Sequence, residues 1–267
     1  QVEAWIRDPY AIYARHVLGL RPLDPLDADP AAADRGIIIH AALERFIQAY
    51  PGDLPADAED RLIAIGREVF GDRSARPGVR AFWWPRFERL AHWFVDRERR
   101  RRAAGHGVLA TEARGELGLA GPGGSFRLTG RADRIDVTPA GELAIIDYKT
   151  GQVPSRKQVE CGLAPQLSLE AAMAAAGAFA GIPPRPVAEM IYLRLTGGRL
   201  PGEERVLADG VAAVAEQALS GLSRKVALYD NPATPYPSRR SPMFERDVGD
   251  YDHLARVKEW SAGGGEE

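Results

Sequence analysis

The stretch from Val108 to Lys149 constrains the fold most, because there the apolar residues recur with a period of two and two turn signals cut the run, Gly121-Pro122-Gly123-Gly124 and Pro139-Ala140-Gly141. A period of two belongs to strands with one face on a core, and Gly/Pro clusters mark reversals. Three or four antiparallel strands are expected, at about 109–119, 125–137 with a bend at Gly130, and 142–149.

Helical periodicity surrounds this block. It predicts helices over 33–50, 57–70 and 78–104, the last delayed by Pro85, then a helix over 165–180, a strand over 187–196 and a helix over 208–229, with a flexible tail at Gly263-Gly264-Gly265. The pattern reads as α/β: a central mixed sheet flanked by helices, with a helical N-terminal portion. One domain is expected over 1–267, made of a mainly helical portion (1–107), a sheet core (108–200) and a C-terminal helical region and tail (201–267). No repeat and no Walker-type loop is found, so no ATP-driven motor lies in this stretch.

With 45% hydrophobic and 27% charged residues the chain has the composition of an ordinary globular protein. Its net charge of -2 offers nucleic acid no overall attraction, so any DNA-binding surface must be a local patch. One cysteine, Cys161, excludes a disulfide framework and a cysteine-built zinc or iron–sulfur site within the chain, fits a reducing, cytoplasmic setting, and is expected as a small packing residue. No apolar run approaches the roughly 20 residues that span a bilayer, and no secretory pattern opens the chain, so no membrane partner is expected. The start at Gln1 without a methionine suggests a processed or excised piece.

Chemistry-bearing residues fall on the last two strands of the block. Alternation puts Asp133 on the face of Ile135 and Val137, opposite Arg134 and Asp136; it puts Asp147 and Lys149 on the face of Leu143 and Ile145, opposite Ala144, Ile146 and Tyr148. A carboxylate on a buried face needs a cation. One reading is a structural ion pair, Asp147 to Lys149 or Asp133 to Arg131. The other is a metal site, since two carboxylates and a lysine on adjacent strands supply hard oxygen ligands with a cation beside them.

His40 and Glu44 share a face of the helix over 33–50. His40 is either a satisfied histidine of the fold or a further metal ligand, which would make Mn²⁺ acceptable beside Mg²⁺. Residues 71–102 hold ten arginines against four acids, ending in Arg99-Arg100-Arg101-Arg102. That run is either a phosphate-binding strip or a solvated helix end. Trp83, Trp84 and Trp93 are spaced as core residues, Arg239-Arg240 is a weak basic signal, and Glu112 at the start of its strand reads as a surface acid or an outer-shell acid of the site.

Gly36-Ile37-Ile38-Ile39-His40 with Leu43-Glu44-Arg45-Phe46, Gly130-Arg131-Ala132-Asp133-Arg134-Ile135-Asp136, Ile146-Asp147-Tyr148-Lys149-Thr150-Gly151 and Gln166-Leu167-Ser168-Leu169 follow one another in this order. Together they resemble the ordered motifs of the RecB-type PD-(D/E)XK nucleases. Within that superfamily the chain most resembles the AddB-type carboxy-terminal nuclease region of alphaproteobacterial helicase–nucleases, helped by the opening VEAWIRDPYAIYARHVLGLRPLDPLDADP and the closing SPMFERDVGDYDHLARVKEW.

The resemblance implies a PD-(D/E)XK fold and a Mg²⁺-dependent deoxyribonuclease, with Mn²⁺ tolerated. It implies a metal held by His40, Asp133, Asp147 and the main-chain carbonyl of Tyr148, Lys149 as catalytic lysine, and Gln166 and Arg131 on the DNA. The implied substrate is single-stranded DNA from an unwound duplex, cut to a 5′-phosphate and a 3′-hydroxyl during double-strand break repair by homologous recombination, with an AddA-like helicase subunit as partner. Two departures stand out. The four cysteines that hold an iron–sulfur cluster in several members are missing, so no cluster is expected, and Glu170 stands where many members carry a tyrosine, reading as a helix-surface acid. A non-catalytic nuclease-fold module and a stand-alone exonuclease of the CRISPR-adaptation type are the alternatives.

Overall fold

The computed structural model describes residues 1–21, 32–71, 79–238, 249–257 and 259. Arg239-Arg240, the Gly263–Gly265 tail, and parts of the opening and closing segments and of the arginine-rich run lie outside the described residues. Two short helices open the chain, α1 (Val2–Arg7) and α2 (Pro9–Ile12), the second running into a π-helical turn, Tyr13–Val17. Then come α3 (Ala32–Ala49), α4 (Ala58–Phe70), a π-helical turn Val79–Trp83, and α5 (Trp84–Ala103). Strands β1 (Gly107–Gly121), β2 (Gly124–Val137) and β3 (Leu143–Lys149) follow. The chain continues with α6 (Arg156–Glu160), α7 (Gln166–Ala175), β4 (Val187–Leu195), β5 (Gly202–Leu207) and α8 (Val211–Tyr229).

The strands form one sheet in the order β1-β2-β3-β4-β5, antiparallel except between β3 and β4. A parallel pair needs a crossover connection, here supplied by α6 and α7. Both faces are covered. On one, Ile135, Leu143, Ile145, Met190 and Tyr192 pack with residues of α7 and α8. On the other, Ile146, Tyr148, Ile191, Leu193 and Leu195 pack with residues of α3, α4 and α5. That double burial explains why β3 is apolar on successive positions rather than only alternate ones.

The three predicted strands of the central block form within about two residues of expectation, as does the strand over 187–196. The helix expected over 165–180 stops at Ala175, because Gly177 takes a positive φ of 72°, where a Cβ would lie 2.9 Å from Pro184 Cδ. The strand β5 has no clear signal: Gly-Glu-Glu-Arg-Val-Leu is a charged edge strand, and only Leu207 is buried.

The arginine run divides, two of its members turning into the interior while others face solvent. Arg97 and Arg101 point inward from α5: Arg97 reaches Glu98 (2.8 Å) and Glu204 (2.6 Å), and Arg101 reaches Asp136 (3.0 Å) and Glu189 (2.9 Å). Arg134 of β2 completes the network with Glu98 (2.8 Å) and Asp136 (2.6 Å), all three fully buried. Burial alone would raise the Glu98 pKa, but Arg134 and its neighbouring guanidinium groups win and hold it down at about 2. Arg99 and Arg100 stay exposed. The three tryptophans pack, half-buried, against the α3–α5 core as expected. Cys161 is exposed rather than packed.

Candidate active site

The site forms where β2 and β3 part. Their antiparallel pairing ends at Arg134 with Ile146, and beyond it the Asp133 carboxylate takes the place of the ladder: its Oδ2 accepts a 2.8 Å hydrogen bond from the Tyr148 backbone N–H. Asp133 does not share the face of Ile135, as strict alternation predicts. Leu128 and Ala132 lie on the α7–α8 face, and so does Ile135, which means the alternation slips between them. Strand β1 slips at the same level: Ala113 and Ala110 both pack on that face although they are three residues apart.

The hinge of this paired slip is Glu112, whose φ of 50° is a left-handed conformation that a residue with a Cβ adopts rarely. Its effect is to send two successive residues of each strand toward α3 and α5. Thr111 accepts a hydrogen bond from Gln48 of α3 (2.9 Å), and Arg134 meets Glu98 of α5. Between them Glu112 and Asp133 stand beside His40 of α3, with Asp133 Oδ2 3.6 Å from His40 Nδ1.

Among the described residues, His40, Glu112 and Asp133 each offer a ligand atom within 4.8 Å of the others. They line an open groove with Gly36, Glu44 and Arg131. Helix α3 can approach because Gly36 has no side chain; a Cβ there would lie 3.2 Å from Thr150 Oγ1. Arg35 ties the same turn of α3 to the Thr150 carbonyl (3.3 Å). The His40 ring stands edge-on to Tyr148, centroids 5.6 Å apart.

Glu112 is therefore neither a surface acid nor remote from the ligands. Burial and then the Asp133 charge raise its pKa, and its ion-pair partner is Arg131. That pairing replaces the Asp133–Arg131 bridge that the strand pattern allowed. The sequence signal that was available is the alternation: Ala110 and Ala113 cannot both face one core in a regular strand.

Asp147 keeps the predicted face, with Ile145 and Lys149. Its side chain is 2% exposed, and Lys149 Nζ sits 3.0 Å from Oδ1 and 2.9 Å from Oδ2. Gln166, the first residue of α7, locks the pair: its Nε2 donates to Asp147 Oδ1 (2.7 Å) and its Oε1 accepts from Lys149 Nζ (2.8 Å). Burial, reinforced by the Asp133 charge, pushes the Asp147 carboxyl up to about 7 despite Lys149. Burial works against the Lys149 charge, yet Asp147 beside it raises its pKa, so it stays an ammonium. Glu170 is buried, contrary to its expected place on a helix surface, and shares Gln166 Nε2 (3.2 Å); burial and then Asp147 raise its pKa well above the ordinary range.

The structure thus gathers His40, Asp133, Asp147, Tyr148, Lys149 and Gln166 at one end of the sheet, with Arg131 at the groove rim. Nitrogen and oxygen donors fit a hard or borderline divalent cation. The buried Asp147 Oδ2, which accepts no well-angled hydrogen bond, is a group that such a cation would satisfy.

The sequence pattern of the PD-(D/E)XK nuclease superfamily matches residues 1–241, and the chain belongs to that superfamily. Its five-stranded mixed sheet between helical layers is the fold of the family. The chain is 33% identical over 174 residues to an uncharacterized protein of Rickettsia bellii, and 32% identical over 179 residues to one of Rickettsia conorii. Those alignments cover 64% and 65% of this chain but 21% of each relative, so the chain spans about a fifth of their length. It is also similar to the crystal structure of an exonuclease candidate from Eubacterium rectale, at 8% identity and a TM-score of 0.41, covering 89% of this chain and 82% of that one. Among the described residues no helix is long and apolar enough to cross a membrane.

Proposed function

We propose that the chain is the nuclease segment of a longer helicase–nuclease, a Mg²⁺-dependent deoxyribonuclease that hydrolyses phosphodiester bonds of single-stranded DNA released by unwinding. The observation that carries the nuclease reading is the junction of two half-sites: the His40–Glu112–Asp133 group and the Asp147–Lys149–Gln166 group meet through the Asp133–Tyr148 hydrogen bond. The helicase–nuclease setting, an AddA-like partner and work in recombinational repair rest on the resemblance of the ordered motifs and of the chain's ends.

In this reading His40, Asp133, Asp147 and the Tyr148 carbonyl hold the cation, and Mn²⁺ substitutes for Mg²⁺ because one ligand is an imidazole. The N–H and C=O of an extended residue point to the same side, so a Tyr148 N–H aimed at Asp133 puts its carbonyl on the same gap. The chemistry supplied by a divalent cation there is polarisation of the scissile phosphate and acidification of an attacking water. Lys149 neutralises charge that develops on the phosphate oxygens and orients the water. Gln166 keeps the ammonium aligned, and Arg131, more than half exposed, offers a phosphate contact at the rim.

The test is cleavage of end-labelled single-stranded DNA with Mg²⁺, Mn²⁺ or EDTA, comparing the wild type with Lys149→Ala. Metal-dependent cleavage that the variant loses supports the reading. Equal cleavage by both proteins ends the assignment of Lys149.

A further inference from the structure

Helix α7, QLSLEAAMAA, is buried along almost its whole length and holds one ionisable side chain, Glu170. That residue is 5% exposed, and its Oε2 has no hydrogen-bond partner among the described residues. A carboxyl so placed costs stability at a position where an apolar side chain would add packing. Its other oxygen has a partner: Oε1 accepts a 3.2 Å hydrogen bond from Gln166 Nε2, one helical turn back.

The Gln166 amide has two N–H donors and one carbonyl oxygen aimed at its neighbours, and each is engaged. Nε2 donates to Asp147 Oδ1 (2.7 Å) and to Glu170 Oε1, while Oε1 accepts from Lys149 Nζ (2.8 Å). Turned over, the amide would set its oxygen against two carboxyl oxygens and its N–H groups against an ammonium. Donor and acceptor chemistry therefore fixes its orientation. Asp147 Oδ1 is shared, because it also accepts from Lys149 Nζ (3.0 Å), whereas Glu170 Oε1 serves the amide alone.

We propose that Glu170 is a positioning residue of the nuclease site: by taking the second N–H of Gln166 it fixes which way the amide faces, and through the amide it places the Lys149 ammonium. The proposal rests on the nuclease reading above, in which Lys149 neutralises charge on the phosphate. Glu170 is enclosed and acts only through Gln166. An apolar residue of similar length in its place removes a costly burial and frees the amide, so stability and turnover move in opposite directions.

The experiment compares wild type, Glu170→Met and Glu170→Gln in cleavage of end-labelled single-stranded DNA with Mn²⁺, and in melting temperature in EDTA. Glu170→Met should lower kcat by roughly 3- to 10-fold, the worth of one hydrogen bond, with KM unchanged and the melting temperature equal or higher. Glu170→Gln, whose carbonyl oxygen can accept the same N–H, should recover kcat to within about twofold. In a Gln166→Ala background Glu170→Met should have no further effect on kcat. Heteronuclear NMR of the lysine ammonium groups in EDTA reads the geometry without the reaction: Lys149, one of four lysines, should give a slowly exchanging signal that Glu170→Met loses and Glu170→Gln keeps. Glu170→Ala serves if the methionine variant does not fold. Wild-type kcat in Glu170→Met, an equal loss in Glu170→Gln, a loss that adds to that of Gln166→Ala, or a loss that tracks a lowered melting temperature overturns the positioning role. A wild type without metal-dependent cleavage ends the nuclease reading instead, and the ammonium signal then decides alone whether Glu170 orients Gln166.

Discussion

Replacing Asp147 with asparagine separates a catalytic carboxylate from a structural one, and its buried position sets the size of the effect. In the metal-free protein the Asp147 carboxyl lies at about 7 against an ordinary 3.8, chiefly through burial. A folded-state pKa above the unfolded value means the folded chain binds the proton more tightly. The contribution to stability is then complete below about pH 4 and is lost as pH rises through about 7, a total of up to about 4 kcal/mol. Asp147→Asn has no proton to lose. In EDTA the stability difference between wild type and variant should change by about 2–3 kcal/mol between pH 5 and pH 7.5, in the direction that favours the variant at the higher pH. Urea unfolding of both proteins across that range measures it. Cleavage by the variant should fall at least about a hundredfold, because asparagine removes the charge that holds the dication. A stability difference that is constant with pH would refute the burial argument, and normal cleavage would refute the catalytic one.

Other perturbations test single parts of the site and its support. His40→Ala should lower Mn²⁺ affinity by roughly ten- to a hundredfold, read by calorimetry, and leave the melting temperature of the metal-free protein within a few degrees, since the imidazole is 27% exposed. Arg134→Met removes the buried cation that Glu98 and Asp136 share, leaving them Arg97 and Arg101, and should cost about 3 kcal/mol in urea unfolding. Gly66→Ala should cost about 1–3 kcal/mol, because a Cβ there falls 2.1 Å from Phe87 Cε1, where α4 crosses α5. In each stability case a loss under about 0.5 kcal/mol contradicts the packing described.

Much of the frame was legible in the sequence because the signals were local. Turn clusters at 121–124 and 139–141 delimit the strands, and the apolar character of β3 on both faces follows from its central place between two helical layers. What was not legible depends on contacts distant in sequence. Arg97 and Arg101 look like surface charge when counted along a helix, and become interior only because Glu204, Asp136 and Glu189 arrive from three strands. Glu170 looks like a helix-surface acid until α7 is laid on the sheet with Gln166 between it and Asp147. A helical period reports which residues share a face, and not which partners that face will meet.

The slip at Glu112 and Asp133 shows how such a partner changes the chemistry. With strict alternation Asp133 would share the α7–α8 face with Asp147, and His40 on the opposite helical layer could reach neither acid. Slipping both strands together keeps their register, Ala113 opposite Ala132 and Thr111 opposite Arg134, while turning one acid of each strand toward α3. The strain of a left-handed Glu112 is a cost of roughly 1–3 kcal/mol, and the surrounding structure offsets it through the Thr111–Gln48 and Arg134–Glu98 contacts on either side of the slip. The carboxylates consequently approach the end of the sheet from opposite faces: Asp133 beside His40, and Asp147 beside Lys149 and Gln166. A cation between them would be reached by His40 of α3 from one side and by Asp147, which Gln166 of α7 holds in place, from the other, so the site can form only when α3 and α7 are both packed on the sheet. Metal affinity should therefore report the integrity of the whole fold, and not of the two strands alone.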